Sequence, residues 1–200
     1  KLKDNPHISE YYEEQLRKLD PVSRERLLHG NWEYDEGRDR LFDYESILNL
    51  FTNSSVTSEG EEHYLSCDVA LLGSDKLVIC VWKGLVVEEI ITKDKTSADN
   101  VEKLIHKLAE QYDIKRKNII VDSDGVGQYL SHYMKGVQPF VNNAKPISGE
   151  NYKNLKTQCF YKLAEQVNAG NIFIKCTDTE IRNKIIEELE TIRRKDIDMD

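Results

Sequence analysis

The chain has 200 residues, of which 39% are hydrophobic and 32% charged, with a formal net charge of -8. That length buries a substantial core and is most economically one domain with a smaller attachment. No apolar run reaches the roughly 18 residues needed to cross a bilayer, and Lys1-Leu2-Lys3-Asp4-Asn5-Pro6 leads into no signal-peptide core, so neither a membrane partner nor a secretory route is expected.

The start without Met suggests a piece of something longer. Sixteen of the 36 acids but only 8 of the 28 bases precede residue 75. An acidic chain is a poor non-specific DNA binder, yet here the excess lies in the first third and leaves a neutral body whose lysines can meet phosphates. Cys67, Cys80, Cys159 and Cys176 never approach Cys-x-x-Cys spacing and read as buried thiols in a reducing compartment.

In chain order, residues 5 to 35 read as two short peripheral helices: Tyr11, Tyr12, Leu16 and Leu19 follow Pro6, and Arg24 to Leu28 resumes after Pro21 and stops at Gly30. Gly37, Thr52-Asn53-Ser54-Ser55 and Gly60 make the next stretch a lead-in with a helical turn or two. The expected division is a helical linker and lead-in over 1–60 and a main domain over 61–200.

The main domain opens with Tyr64 to Ala70, Lys76 to Lys83 and Leu85 to Ile91. These are Val- and Ile-rich runs parted by short glycine-bearing turns, the pattern of an antiparallel meander. The period then changes. Val101, Leu104, Ile105, Leu108 and Ala109 fall on one helical face, with Ser97 as cap and Asp99 in the first turn. Asn118 to Asp122 returns to strand, Gly127 to Met134 to helix, and Val137 to Val141 to a strand that Pro139 assigns to an edge. Strand, helix, strand requires a parallel crossover.

Leu155, Cys159, Leu163 and Val167 mark a helix from Tyr152 to Asn168 that Gly170 stops. Ile172 to Ile174 is a short strand or an extended packed segment. Thr179 begins a last helix with Ile181, Ile185, Ile186, Leu189 and Ile192 inward, and Asp196-Ile197-Asp198-Met199-Asp200 alternates like the opening of a further strand. The elements outline an α/β, ribonuclease H-like mixed five-stranded sheet flanked by helices.

Two aspartates stand out. Asp68 interrupts one apolar strand and Asp122 closes another, where an unpaired carboxylate is costly to bury. If the two strands are neighbours, both side chains can face one edge of the sheet, and hard oxygen ligands of that kind suit Mg²⁺ or Mn²⁺. Two such ions about 4 Å apart activate water and stabilise the leaving 3′ oxygen in phosphodiester hydrolysis. The plain alternatives are an exposed edge residue for Asp68 and a helix cap for Asp122.

Asp124 is either a further ligand or the acidic member of a loop shaped by Gly125 and Gly127. Gly125-Val126-Gly127 lacks the third glycine of a dinucleotide fingerprint, and no Gly-x-x-x-x-Gly-Lys-Ser/Thr is present for ATP. The five histidines show no metal spacing and read as surface residues; Trp32 and Trp82 read as packing anchors. Lys153, Lys156 and Lys162, on the same predicted helix, are candidate DNA contacts, against the alternative of a solvated face.

The chain resembles the nuclease domain of the large terminase subunit of tailed bacteriophages. The likeness rests on Asn5-Pro6-His7, Tyr11-Tyr12 and Arg24 through Gly30-Asn31-Trp32 as the joining segment, and on Cys67-Asp68-Val69-Ala70 with Gly73 and Asp75. It extends through Val121-Asp122-Ser123-Asp124-Gly125-Val126-Gly127 to Asn154-Leu155-Lys156, Leu163 and Gly170.

The resemblance implies a metal-dependent endonuclease acting on concatemeric double-stranded viral DNA, with Asp68 and Asp122 as metal ligands, Asp124 in support, and two Mg²⁺ or Mn²⁺ ions in the complete domain. It implies a preceding ATPase domain, portal and small terminase subunit partners, phage or prophage origin, and the bacterial host cytoplasm. The third acid of the family follows a further hairpin, which this chain is only entering at Asp200. The alternatives are another ribonuclease H-like nuclease, of resolvase or transposase type, and a non-catalytic DNA-binding scaffold.

Overall fold

The protein is described by a computed structural model in which residues 40–69, 76–94, 97–123 and 133–194 are defined. The peripheral helices expected before Gly30, the joining segment with Trp32, most of the helix expected over 127–134, and the alternating run from Asp196 lie outside those residues.

Strand β1 (His63–Asp68), β2 (Leu77–Lys83) and β3 (Val86–Lys93) form the expected antiparallel meander. Gly84 makes the β2–β3 turn with a φ of 54°, and a Cβ there would lie 2.8 Å from Cγ of Glu61, so a residue without a side chain serves best. Helix α1 (Tyr44–Asn49) precedes the meander, and α2 (Ala98–Gln111) carries the chain to β4 (Ile119–Asp122), which lies parallel to β1. Strand β5 (Gln138–Phe140) pairs parallel with β4 and is an edge, as Pro139 requires.

The sheet has six strands in the order β5-β4-β1-β2-β3-β6, one more than the five expected. The addition is β6 (Phe173–Ile174), whose two residues pair parallel with Val86 and Val87 of β3. Helix α3 (Leu155–Asn168) precedes it and α4 (Thr179–Thr191) follows. Asn154 caps α3 by accepting from the Thr157 N–H at 2.8 Å, and Asp178 caps α4 by accepting from the N–H groups of Glu180 and Ile181. Ser97 occupies the N-cap position of α2 without a side-chain capping bond.

Alternation along the strands divides the core between two faces. Leu65, Cys67, Ile79, Val81, Ile119 and Val121 pack with Val101, Ile105 and Leu108 of α2. On the opposite face Cys80, Trp82 and Ile90 pack with α1, α3 and α4. The stretch expected as a lead-in contributes to this second core: Leu41, Phe42, Ile47 and Leu50 are each 3% exposed or less, and such side chains stabilise by about 1.5–3 kcal/mol apiece when buried. The Asn53 amide fastens the same stretch to the Gly170 and Ile172 carbonyls, and Leu41 N–H donates to the Ile192 carbonyl.

All four cysteines are free. Cys67 and Cys176 are buried and Cys80 half-buried, but Cys159 is exposed on α3, contrary to expectation. Among the described residues no helix is long and apolar enough to cross a membrane.

Candidate metal centre

The parallel register of β1 and β4 sets Leu65 opposite Ile119, Ser66 opposite Ile120 and Cys67 opposite Val121. Asp68 and Asp122 are the next and last residues of the two strands, one step past those pairs. Residues opposite one another in paired strands project to the same face, and adjacent strands lie about 4.8 Å apart. Both aspartates therefore stand at the carboxyl-terminal ends of neighbouring strands, on the face that carries Ser66, Cys80 and Ile120 rather than the one packed under α2. Asp68 is exposed and Asp122 half-buried.

The neighbouring thiol registers both groups. Burial, and then the Asp68 carboxylate, Cys80 and the Asp122 carboxylate, push the Cys67 thiol up to about 12. Cys67 itself projects to the opposite face, into the core packed under α2. The two carboxylates offer oxygen donors, which fit a hard divalent cation. Among the described residues no group of three or more His, Cys, Asp or Glu gathers as a metal site; Asp124 lies outside them.

The three lysines are separated by the local fold. Lys153 precedes α3 rather than lying on it, because Asn154 caps the helix. Lys156 lies in its first turn, with its N–H donating to the Asn142 carbonyl at 3.1 Å. Lys162 pairs with Glu150 at 3.1 Å, which raises its pKa.

His63 departs from the expected surface position. It is half-buried, with Nε2 3.1 Å from Glu88 Oε2. Trp82 is an anchor as expected, and its indole N–H donates to Ser66 Oγ.

Sequence reasoning missed the residues beside Asp122. Phe140 is the β5 partner of Asp122, and its carbonyl accepts from the Ser123 N–H at 2.8 Å. With Asn142, Lys156, Cys159, Phe160 and Leu163 it lines a cleft of about 280 Å³. Phe140 directly follows the Pro139 that marks the edge strand, but nothing local in the sequence tells which strand it pairs with.

No protein-family model matches the chain, and no curated protein matches its sequence. Solved structures do match. The nuclease domain of the large terminase subunit gp2 of bacterial virus Sf6 is 15% identical, with a TM-score of 0.66 over 76% of this chain and 82% of that one. A variant of that domain with manganese and beta-thujaplicinol gives 15% and 0.65 over the same shares. The large terminase nuclease from thermophilic phage G20c with bound magnesium is 15% identical, with a TM-score of 0.55 over 78% of this chain and 82% of that one. The chain thus has the ribonuclease H-like fold seen in the nuclease domains of phage large terminase subunits.

Proposed function

We propose that the protein is a divalent-metal-dependent DNA endonuclease, the nuclease part of a terminase that cuts double-stranded viral DNA during packaging. The observation that carries the reading is the β1–β4 register, which brings Asp68 and Asp122 to one face of adjacent strand ends. The likeness to terminase nuclease folds, two of them with bound manganese or magnesium, supports it.

Asp68 and Asp122 would hold the ions, Mg²⁺ or Mn²⁺, through carboxylate oxygens, and Asp124, two residues further along the sequence, would support them. When bound, such ions lower the pKa of a water and offset charge on the leaving 3′ oxygen. The strands supply rigidity: each carboxylate projects from backbone fixed by ladder hydrogen bonds, so its position is set before substrate arrives. Lys156, which lines the cleft with Asp122's strand partner Phe140, would contact a backbone phosphate, with Lys153 and Lys162 as further contacts along the DNA.

In the same reading an ATPase domain precedes this chain, a portal and a small terminase subunit are partners, and the protein acts in the cytoplasm of an infected bacterium. A third acid from beyond Asp200 would complete the two-ion site. In this reading the boundary between a joining segment and the nuclease lies earlier than residue 60, a placement supported by the packing of Leu41, Phe42, Ile47 and Leu50 with α3 and α4.

Nicking of supercoiled plasmid with Mn²⁺ or Mg²⁺ tests the proposal. The parent, carried past Asp200 to include the third acid, should nick, Asp68→Asn in the same background should not, and both should give the same circular dichroism. Equal nicking by parent and variant would overturn the assignment.

A further inference from the structure

The cleft beside Asp122 differs in kind from a phosphate groove. Its lining is two phenylalanine rings, Phe140 and Phe160, with Leu163, Cys159, Asn142 and Lys156, and no carboxylate is among these residues. Phe140 and Phe160 are both half-buried, so each is part anchored in the fold and part turned to the cleft. At about 280 Å³ the space falls just under the roughly 300 Å³ at which drug-sized pockets begin, which suits one planar heterocycle with its sugar. Phe140 is the strand partner of Asp122, so one wall of the cleft stands on the strand next to the proposed metal site.

Aromatic faces next to a single cation are the chemistry that takes an unpaired base by stacking while its phosphate meets the charge. A paired base in a duplex is stacked on its neighbours and does not offer its face to a protein ring. We propose that this cleft receives one unstacked nucleobase of the DNA strand held at Asp68 and Asp122, with Phe140 and Phe160 as its platform and Lys156 on the adjoining phosphate. The inference rests on the nuclease reading and specifies its substrate: DNA that is opened, bulged or frayed next to the scissile bond is preferred over uniformly paired duplex.

Cys159 provides a test that does not depend on cutting. It lines the cleft and is the exposed cysteine among four; burial raises its pKa, so alkylation by iodoacetamide is followed at mildly alkaline pH. In Asp68→Asn, three oligonucleotides are compared: a fully paired duplex, the same duplex with one bulged nucleotide, and that duplex with an abasic residue in the bulge. The bulged duplex should slow Cys159 alkylation several-fold, and the paired and abasic duplexes should not. Phe140→Ala should weaken binding of the bulged duplex by roughly fivefold or more and leave the paired duplex within about twofold. Equal protection by the abasic duplex, or DNA that binds without protecting Cys159, overturns the base pocket and leaves the nuclease reading intact. Failure of the parent to nick plasmid when it is carried past Asp200 to include the third acid overturns the nuclease reading itself.

Discussion

Gln158 holds the backbone of Ile147 at both ends of its side-chain amide. Its oxygen accepts from the Ile147 N–H at 2.7 Å and its nitrogen donates to the Ile147 carbonyl at 3.0 Å. Gln158 is only 6% exposed, and its pair of bonds fixes the segment between β5 and α3 where Ser148 takes a φ of 60°, a conformation that costs a non-glycine residue about 1–2 kcal/mol. The same segment carries Asn142, whose carbonyl receives the Lys156 N–H. The Gln158–Ile147 contact thereby steadies the wall of the cleft that Asn142 and Lys156 line.

Gln158→Ala should therefore destabilise the fold by about 1–2 kcal/mol. The exposed Ile147 backbone regains water, which keeps the cost from rising further. Thermal unfolding should show a midpoint lowered by a few degrees; an unchanged midpoint would mean that the double bond to Ile147 contributes nothing.

At acid pH the Glu88 cluster should weaken the protein. Burial raises the Glu88 carboxyl, but the hydrogen bonds and charges of Lys175 and His63 outweigh it and hold the group below its ordinary value. A carboxyl depressed in the folded state stabilises above the unfolded value, about 4.3, and loses that contribution as pH falls through the lower folded value. Glu88→Gln should flatten stability against pH in that acid window in urea titrations. Parallel curves for parent and variant there would remove Glu88 from the account. Glu62 shifts in the same direction through Lys115 and Asn118, but it is exposed and its effect is screened.

Gly84→Ala should cost about 1–2 kcal/mol, the penalty for an L side chain at positive φ, with added crowding against Glu61. A denaturant midpoint equal to the parent's would show that the β2–β3 turn relaxes freely.

The parts of this fold legible in the sequence are those whose chemistry is local. Val and Ile runs broken by glycine turns read directly as the meander, and the apolar face of Val101, Ile105 and Leu108 as α2, because each signal repeats over several residues. Strand β6 was ambiguous because two paired residues make no period. The burial of Leu41, Phe42 and Ile47 was hidden among charged and polar neighbours and depends on α3 and α4, far along the chain. His63 meets Glu88 where the β2–β3 register shifts between Val81 and Trp82, and the doubled Val86-Val87-Glu88-Glu89 pattern does not tell which residue of β1 the bulged Glu88 reaches.

Asp68 and Asp122 were legible because charge closing an apolar strand is itself a local anomaly. That their strands are neighbours is only a supposition in the sequence, and it, like the pairing of Phe140 with Asp122, needs the assembled sheet.

The account stands on Asp68 and Asp122 sharing a cation, and calorimetric titration with Mn²⁺ tests that most directly. The parent should bind Mn²⁺, and Asp68→Asn and Asp122→Asn should each weaken binding by about tenfold or more, with the double variant little worse than either, because residues holding one ion act as a unit. Binding by both single variants that matches the parent would contradict the claim that these two carboxylates form one site.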